Sequence, residues 1–391
     1  MPQLRTVHFE SVAALRTNAE AWDDLWRRSD ATLPSLRAEL LAQWVEQFAR
    51  PERFHAIGVE AEGQLLAALP LVEQRVGRIL GAGAMPSNEW SASGALLLDS
   101  TVRQAFQPVP GQTGMSAPLV LDALTAAIRE LPWPLLWLDE AVLDAPRWQQ
   151  LRAASLRAQM TVAEHRRWCA GQVAIAGDWA AYKARWSRKH RQKMAWAARR
   201  LAQRGEVRLV LHSQLTPDDV ATRMRQAFEL ENRGWKGAAG TSVLQSPGMA
   251  DFFIRQAEQA AQWGQLELVF LECGSRTVAF SYGLSAKGVF HSLKVSYDPE
   301  FAEAVPGQLL RYYLLERFFA EPGRKAMDFQ GPMIEAHAAW LPETRTIGRM
   351  AIASGPLLGR LAVWAYRDLG PCLRAFKRSR RRTEQSGEVR P

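Results

Sequence analysis

The stretch VSYDPEFAEAVPGQLLRYYLLERFF, residues 295–319, brings hydrogen-bonding and ionisable side chains to the junction of a strand and a helix. A β-branched run ends at Tyr297-Asp298-Pro299, and Pro306-Gly307 opens a segment that is apolar almost all the way round. Proline suits a first helical turn because its missing N–H would be unpaired there. Glycine permits close backbone approach. The N–H groups of Gly307, Gln308 and Leu309 would then be free to hold an anion such as a phosphate oxygen. An ordinary strand-to-helix corner fits the same residues.

Ionisable residues that could move protons gather in the same region: His291, Lys294, Tyr297, Asp298, Asp328 and Glu231. Each has a plainer use. Asp298 fits an Asx turn capping the loop, His291 fits a core position, and Asp328 fits a salt bridge to Lys294. Trp235 and Lys236 in NRGWKG pair an aromatic face with a cation, which suits a substrate-binding lip, or else packs under it. No GxSxG is present, and GAGAMP at 81–86 lacks the third glycine of a dinucleotide fingerprint.

The elements that must position these residues read as α+β. In the first half, RTVHFE is a strand and VAALRTNAEAWDDLWRRSD and LRAELLAQWVEQFA are helices. FHAIGVEAEGQLLAALPLVEQRV is a hairpin turning at Glu62-Gly63. APLVLDALTAAIREL (helix), PLLWLDE (strand), APRWQQLRAASLRAQM (helix) and TVAEHRRWCA then close that half. In the second half GQVAIA opens as a strand, a long helix over 179–204 follows, and then come EVRLVL, two helices and three strands. The helix 306–320 and the strand KAMDFQ end it. Trp179, Tyr182, Trp186, His190, Met194, Ala197 and Leu201 share one stripe of the long helix, predicting a packed face. Arg185, Lys189, Lys193, Arg200 and Arg204 lie on another, either solvated or facing an acidic ligand. Two similar units are expected, 1–168 and 169–355, followed by a basic helix and tail over 356–391.

Composition narrows the class. The 391 residues are 47% hydrophobic and 23% charged, which describes a globular chain with room for two cores. Cys169, Cys273 and Cys372 are odd in number and far apart, so neither a disulfide framework nor a zinc site is indicated, and no metal is expected. The net charge of +9 suits phosphate-rich partners: nucleic acid, an anionic lipid surface or a nucleotide-bearing co-substrate. The first residues lack a signal-peptide pattern and Arg360 interrupts the best apolar run, so a cytoplasmic location is expected.

YDPEFAEAVPGQLL, preceded by HSLKV and followed by MDFQG and Trp340, resembles the acetyltransferase-6 family, also called CelD/BcsL-like or BioF2-like, of the GCN5-related N-acetyltransferase (GNAT) superfamily. GDWAAYKARWSRKHRQKMAWAARRL, FELENRGWKG, LELVFLECGSRTVAFSYGL and, in the first half, LAALPLVEQRV agree with it; the likeness covers most of 1–350 and is strongest over 171–340. The resemblance implies tandem GNAT-like units, each a mostly antiparallel mixed sheet flanked by helices, in a Fem-like arrangement. It implies acetyl-CoA or another acyl-CoA as co-substrate, with Val305, Pro306, Gly307, Gln308, Leu309 and Leu310 at the pyrophosphate. Tyr297, Asp298, Asp328 and His291 then become candidate catalytic groups. Arg191, Trp235, Lys236, Lys294, His337 and Trp340 become candidate substrate contacts. The family commonly has serine at the position of Val305, and a tyrosine–lysine pair where this chain has Ala336 and His337.

The activity so implied is direct acyl transfer to an amine or hydroxyl of an envelope- or polysaccharide-related acceptor. A Fem-like transferase using aminoacyl-tRNA, and a non-catalytic scaffold for polysaccharide synthesis at a membrane surface, are the alternatives. The tail holds six Lys/Arg within 374–382, which fits either an anionic inner-membrane surface or a solvated extension.

Overall fold

The computed structural model describes residues 3–77, 80–103, 116–354 and 357–369. The chain divides into two compact units. One contains residues up to Ala31, Trp44–Arg167 and those from Thr346 on, and the other contains Thr32–Gln43 and Trp168–Arg345. Its strands are β1 (Leu4–Phe9), β2 (Phe54–Ala61), β3 (Gln64–Val76), β4 (Leu80–Ala84), β5 (Leu97–Leu98) and β6 (Leu135–Val142), then β7 (Thr161–Ala174) and β8 (Val207–His212). The last five are β9 (Leu266–Cys273), β10 (Arg276–Ala286), β11 (Val289–Tyr297), β12 (Ala326–Asp328) and β13 (Glu343–Ala353).

The first unit orders its strands β1-β2-β3-β4-β6-β13, all neighbours antiparallel except the parallel β4/β6 pair. Glu62 and Gly63, both at positive φ, make the two-residue turn joining β2 to β3 where the sequence places it. Helix Ala117–Ile128 sets Val120, Leu121 and Leu124 into the core beside Trp148 and Leu151 of helix Pro146–Arg157.

In the second unit the order is β7-β12-β11-β10-β9-β8, antiparallel apart from β11/β12. Its core joins Met194, Ala197 and Leu201 of helix Arg188–Ala202 to Leu309, Leu314, Leu315 and Phe318 of helix Pro306–Ala320, with Phe290 and Trp340. Each fully buried large apolar side chain contributes on the order of 1.5–3 kcal/mol.

Three expectations change. The long helix predicted over 179–204 is two helices, Trp179–Ala184 and Arg188–Ala202. Ser187 restarts the second by accepting a hydrogen bond from the His190 N–H at 3.1 Å. The packed stripe survives the break, with Tyr182, Trp186, His190, Met194, Ala197 and Leu201 all buried. TVAEHRRWCA and GQVAIA form one strand, β7, because Gly171 stays extended. A Cβ there would meet Met333 Sδ at 2.3 Å. Finally, the second unit stops at Arg345 rather than 355, because β13 from Ile347 to Ala353 pairs with β6. Residues 32–43 join the second unit. The basic run 374–382 and Cys372 lie outside the described residues.

Candidate functional site

The site is built at the end of β11. The register between β10 and β11 jumps from Tyr282↔Lys294 to Gly283↔Ser292, leaving Leu293 as an extra residue in a bulge. After Tyr297 the chain enters a 3-10 turn, Pro299–Ala304, capped by Asp298, whose Oδ1 accepts from the Glu300 N–H at 3.1 Å. Val305 then adopts φ 43° and ψ 53°, a left-handed conformation that a β-branched residue rarely takes and that costs on the order of 1–3 kcal/mol. The Pro306 helix starts there without a side-chain cap.

At that start the Leu309 N–H closes the first helical hydrogen bond to the Val305 carbonyl at 3.2 Å, and the Gln308 N–H shares that carbonyl at 2.9 Å. Gly307 is the residue whose N–H is left for a ligand. A Cβ at Gly307 would meet only Tyr297 Cδ1, at 3.7 Å, so the surface over it is open.

A cavity of about 330 Å³ lies against this helix start. Gly307, Gln308 and Arg311 line it from the helix, Val295, Ser296 and Tyr297 from β11, and Ala302 and Val305 from the intervening turn. Lys193, Trp235, Ile334 and His337 complete it. Two of these side chains are cations and none is a carboxylate, so the pocket favours a negatively charged ligand.

Arg311 and His337 give the pocket its electrostatic character. Arg311 is buried, with its guanidinium carbon 4.4 Å from the Phe329 ring centroid and 5.7 Å from that of Trp340. Burial lowers it to about 10 from its ordinary value. Burial, helped by the Arg311 charge, lowers His337 to about 4, so its imidazole is neutral at neutral pH. His337 Nδ1 is buried without a hydrogen-bond partner. Trp340 Nε1 donates to Gln308 Oε1 at 2.9 Å and fixes the amide.

The pocket gathers Tyr297, Val305, Gly307, Gln308, Trp235 and His337 from the expected site residues. The others sit elsewhere. Leu309 and Leu310 are core side chains, and Pro306 is buried as well. Asp298 is a cap and an ion-pair partner of Arg276 at 3.0 Å, which is the Asx-turn use that the sequence also allows. Asp328 pairs with Arg345 rather than Lys294 and lies 3.6 Å from His291 Nδ1. Burial alone would raise its carboxyl, but His291, Arg345 and the Gln330 N–H together hold it down to about 2. His291 is a core histidine, with Gln330 Nε2 at 3.0 Å from Nδ1.

Arg191 spans the helix break, donating to the carbonyls of Ala184 (3.1 Å), at the end of the first helix, and Trp186, within the break. Lys236 is bound to the buried Glu231 at 2.5 Å, and Glu231 also accepts from the Val243 N–H at 3.0 Å, which accounts for both of its oxygens. Lys294 lies 4.3 Å over the Phe253 ring, and burial lowers it to about 8 despite Glu231 nearby. Trp340 is fully buried and backs the pocket, bonding Gln308 and lying against Arg311. Trp235, by contrast, is 70% exposed at the rim.

Sequence reasoning passed over Arg311, Ser296 and Ile334 as site residues, while Lys193 belongs to the basic stripe that it offered to an acidic ligand. For Arg311 a signal existed: it is a charge in the third position of a buried-looking run, Leu309-Leu310-Arg311, where the helix is otherwise apolar. Among the described residues no group of three or more His, Cys, Asp or Glu side chains could hold a metal ion.

Residues 188–338 match the acetyltransferase (GNAT) domain family. No curated protein matches the chain. Among solved structures, FemX aligns with 85% of this chain and 95% of its own at 11% identity, with a TM-score of 0.55. A conserved protein of unknown function from Bacteroides thetaiotaomicron VPI-5482 covers 90% of this chain and 100% of its own, at 14% identity and TM-score 0.51. L-PGS from Bacillus licheniformis covers 88% and 95%, at 11% identity and TM-score 0.50. At these identities the likeness concerns the fold, and it bears out the expected α+β, Fem-like class. Over residues 188–338, somewhat under half of its length, the chain is similar to the acetyltransferase (GNAT) domain family.

Proposed function

We propose that this chain is an acyltransferase that takes its acyl group from acetyl-CoA or another acyl-CoA and passes it directly to an amine- or hydroxyl-bearing acceptor. The observation that carries this reading is the open N–H of Gly307, beside a cationic pocket that contains no carboxylate. A pyrophosphate fits such a helix start, with Lys193 adding charge. The co-substrate would supply the activated thioester. The residues of this chain bind it and manage protons: Tyr297, part exposed at the strand end, is the donor for a departing thiolate, and neutral His337 accepts a hydrogen bond from the incoming amine. No activated nucleophile borders the pocket, which favours transfer without a covalent enzyme intermediate. An acceptor from envelope or polysaccharide assembly is the class we favour.

The test is calorimetric titration with acetyl-CoA of the wild type and of Gly307→Glu. The open space above Gly307 admits the side chain, and a carboxylate in a first helical turn suits the macrodipole, so the variant should fold. Binding by the wild type and its loss in the variant is expected. A folded wild type that ignores acyl-CoA but binds charged tRNA with steep salt dependence would instead favour the aminoacyl-tRNA reading.

A second reading, peripheral association with an anionic membrane surface, is favoured by the helix Leu357–Trp364. Leu357, Leu358, Leu361 and Trp364 are all exposed on it, while Gly359 and Val363 are buried. Among the described residues no helix is long and apolar enough to cross a membrane.

A further inference from the structure

We propose that the pocket recognises a carboxylate on its ligand and that Arg311 is the residue that reads it. This rests on the acyltransferase reading of the same pocket and deepens it by naming a substrate class.

Arg311 is 9% exposed, yet its guanidinium makes no ion pair or hydrogen bond among the described residues, and its Nε is a buried donor without a partner. The other deeply set arginine of this unit is neutralised: Arg324 reaches Glu267 at 2.7 Å and Glu321 at 2.9 Å. Arg345 likewise holds Asp328. Arg311 is instead supported by aromatic faces, Phe329 and Trp340. A desolvated charge without a counter-ion is costly unless something supplies one, and no lining residue does.

The chemistry of the site selects the ion. Lys193, an exposed compact ammonium, and the Gly307 N–H suit a strongly hydrated phosphate. A buried, planar, weakly hydrated guanidinium suits a carboxylate held by two parallel hydrogen bonds. Gln308, its oxygen occupied by Trp340, and His337, with an unpartnered Nδ1, border the same space as further hydrogen-bonding groups. The carboxylate could belong to the acyl group of a dicarboxylic acyl-CoA or to the acceptor.

Two titrations on wild type, Arg311→Met and Arg311→Lys separate these sources. In the first, succinyl-CoA is compared with acetyl-CoA. In the second, succinate is titrated into protein saturated with acetyl-CoA. We expect one of the two to show a preference for the carboxylate of about tenfold or more in the wild type, as a charge-assisted pair supplies. Arg311→Met should abolish it and Arg311→Lys should keep part of it. A preference in the first titration assigns the carboxylate to the acyl group, and in the second to the acceptor. Equal behaviour of wild type and Arg311→Met in both, with acetyl-CoA binding intact, overturns the inference. Failure of the folded wild type to bind either CoA ester overturns the acyltransferase reading itself.

Discussion

The indole Nε1 of Trp340 donates a 2.9 Å hydrogen bond to Oε1 of Gln308, so a fully buried ring orients the amide at the start of the Pro306 helix. Trp340→Phe keeps most of the apolar volume and removes the donor. We expect a loss of roughly 0.5–1.5 kcal/mol in urea denaturation from that bond, plus a packing cost, together with weaker acyl-CoA binding. Trp340→Ala should cost about 3–5 kcal/mol. If Trp340→Phe binds acetyl-CoA as the wild type does, the amide orientation does not matter to the pocket.

Arg311 makes a second prediction, on stability alone. Replacing an unpaired buried charge with an apolar side chain of similar length relieves desolvation, so Arg311→Met should raise stability by roughly 1–3 kcal/mol. Some of that is offset by lost stacking on Phe329. Differential scanning calorimetry should show a higher Tm, about 2–4 °C per kcal/mol for a unit of this size. A lower Tm would mean that Arg311 is compensated within the protein.

The histidine beside it predicts a pH dependence. Burial and the Arg311 charge lower His337 from its ordinary 6.5 to about 4. Below about 6.5 the unfolded chain binds a proton that the folded chain refuses until about 4. The stability from this group is therefore complete above about 6.5 and is lost as pH falls through 4. His190, His55 and His212 are also lowered by burial and slope the same way. Because His337 is partly exposed, its share should be roughly 1–2 kcal/mol after solvent screening. Urea midpoints at pH 7 and pH 5 should differ less in His337→Gln than in the wild type. An unchanged difference would show that the imidazole is not desolvated.

Much of the fold was legible because periodicity survives local interruption. The stripe from Tyr182 to Leu201 predicted the buried face correctly, although Ser187 cuts the helix in two. The corner at Pro306-Gly307 was legible as well, since proline and glycine carry their backbone meaning in the sequence. Partner choice was not. Asp328 on β12 chose Arg345 on β13, a meeting that no local pattern encodes, and Lys236 chose Glu231 five residues back. The bulge at Leu293 shifted the alternation that would have assigned faces along β11. Arg311 stayed outside the expected site, because only the tertiary structure reveals that no carboxylate meets it.

The helix Leu357–Trp364 supplies the last prediction. Leu358 and Leu361 are 66% and 57% exposed, so replacing both with serine removes apolar surface without opening the core. If this face enters a lipid interface, each leucine contributes on the order of 1.5 kcal/mol or more to partitioning. The double variant should then cosediment with phosphatidylglycerol vesicles at least tenfold less than the wild type. If the basic run 374–382 also meets that surface, it would add an electrostatic part, about 1 kcal/mol for each residue near the surface, which should fade as salt is raised. Binding that survives the double substitution but falls with salt would assign membrane attraction to the basic run alone. Equal binding to phosphatidylcholine and phosphatidylglycerol vesicles would remove that run from the account. A wild type that binds neither would leave the exposed leucines without a membrane role.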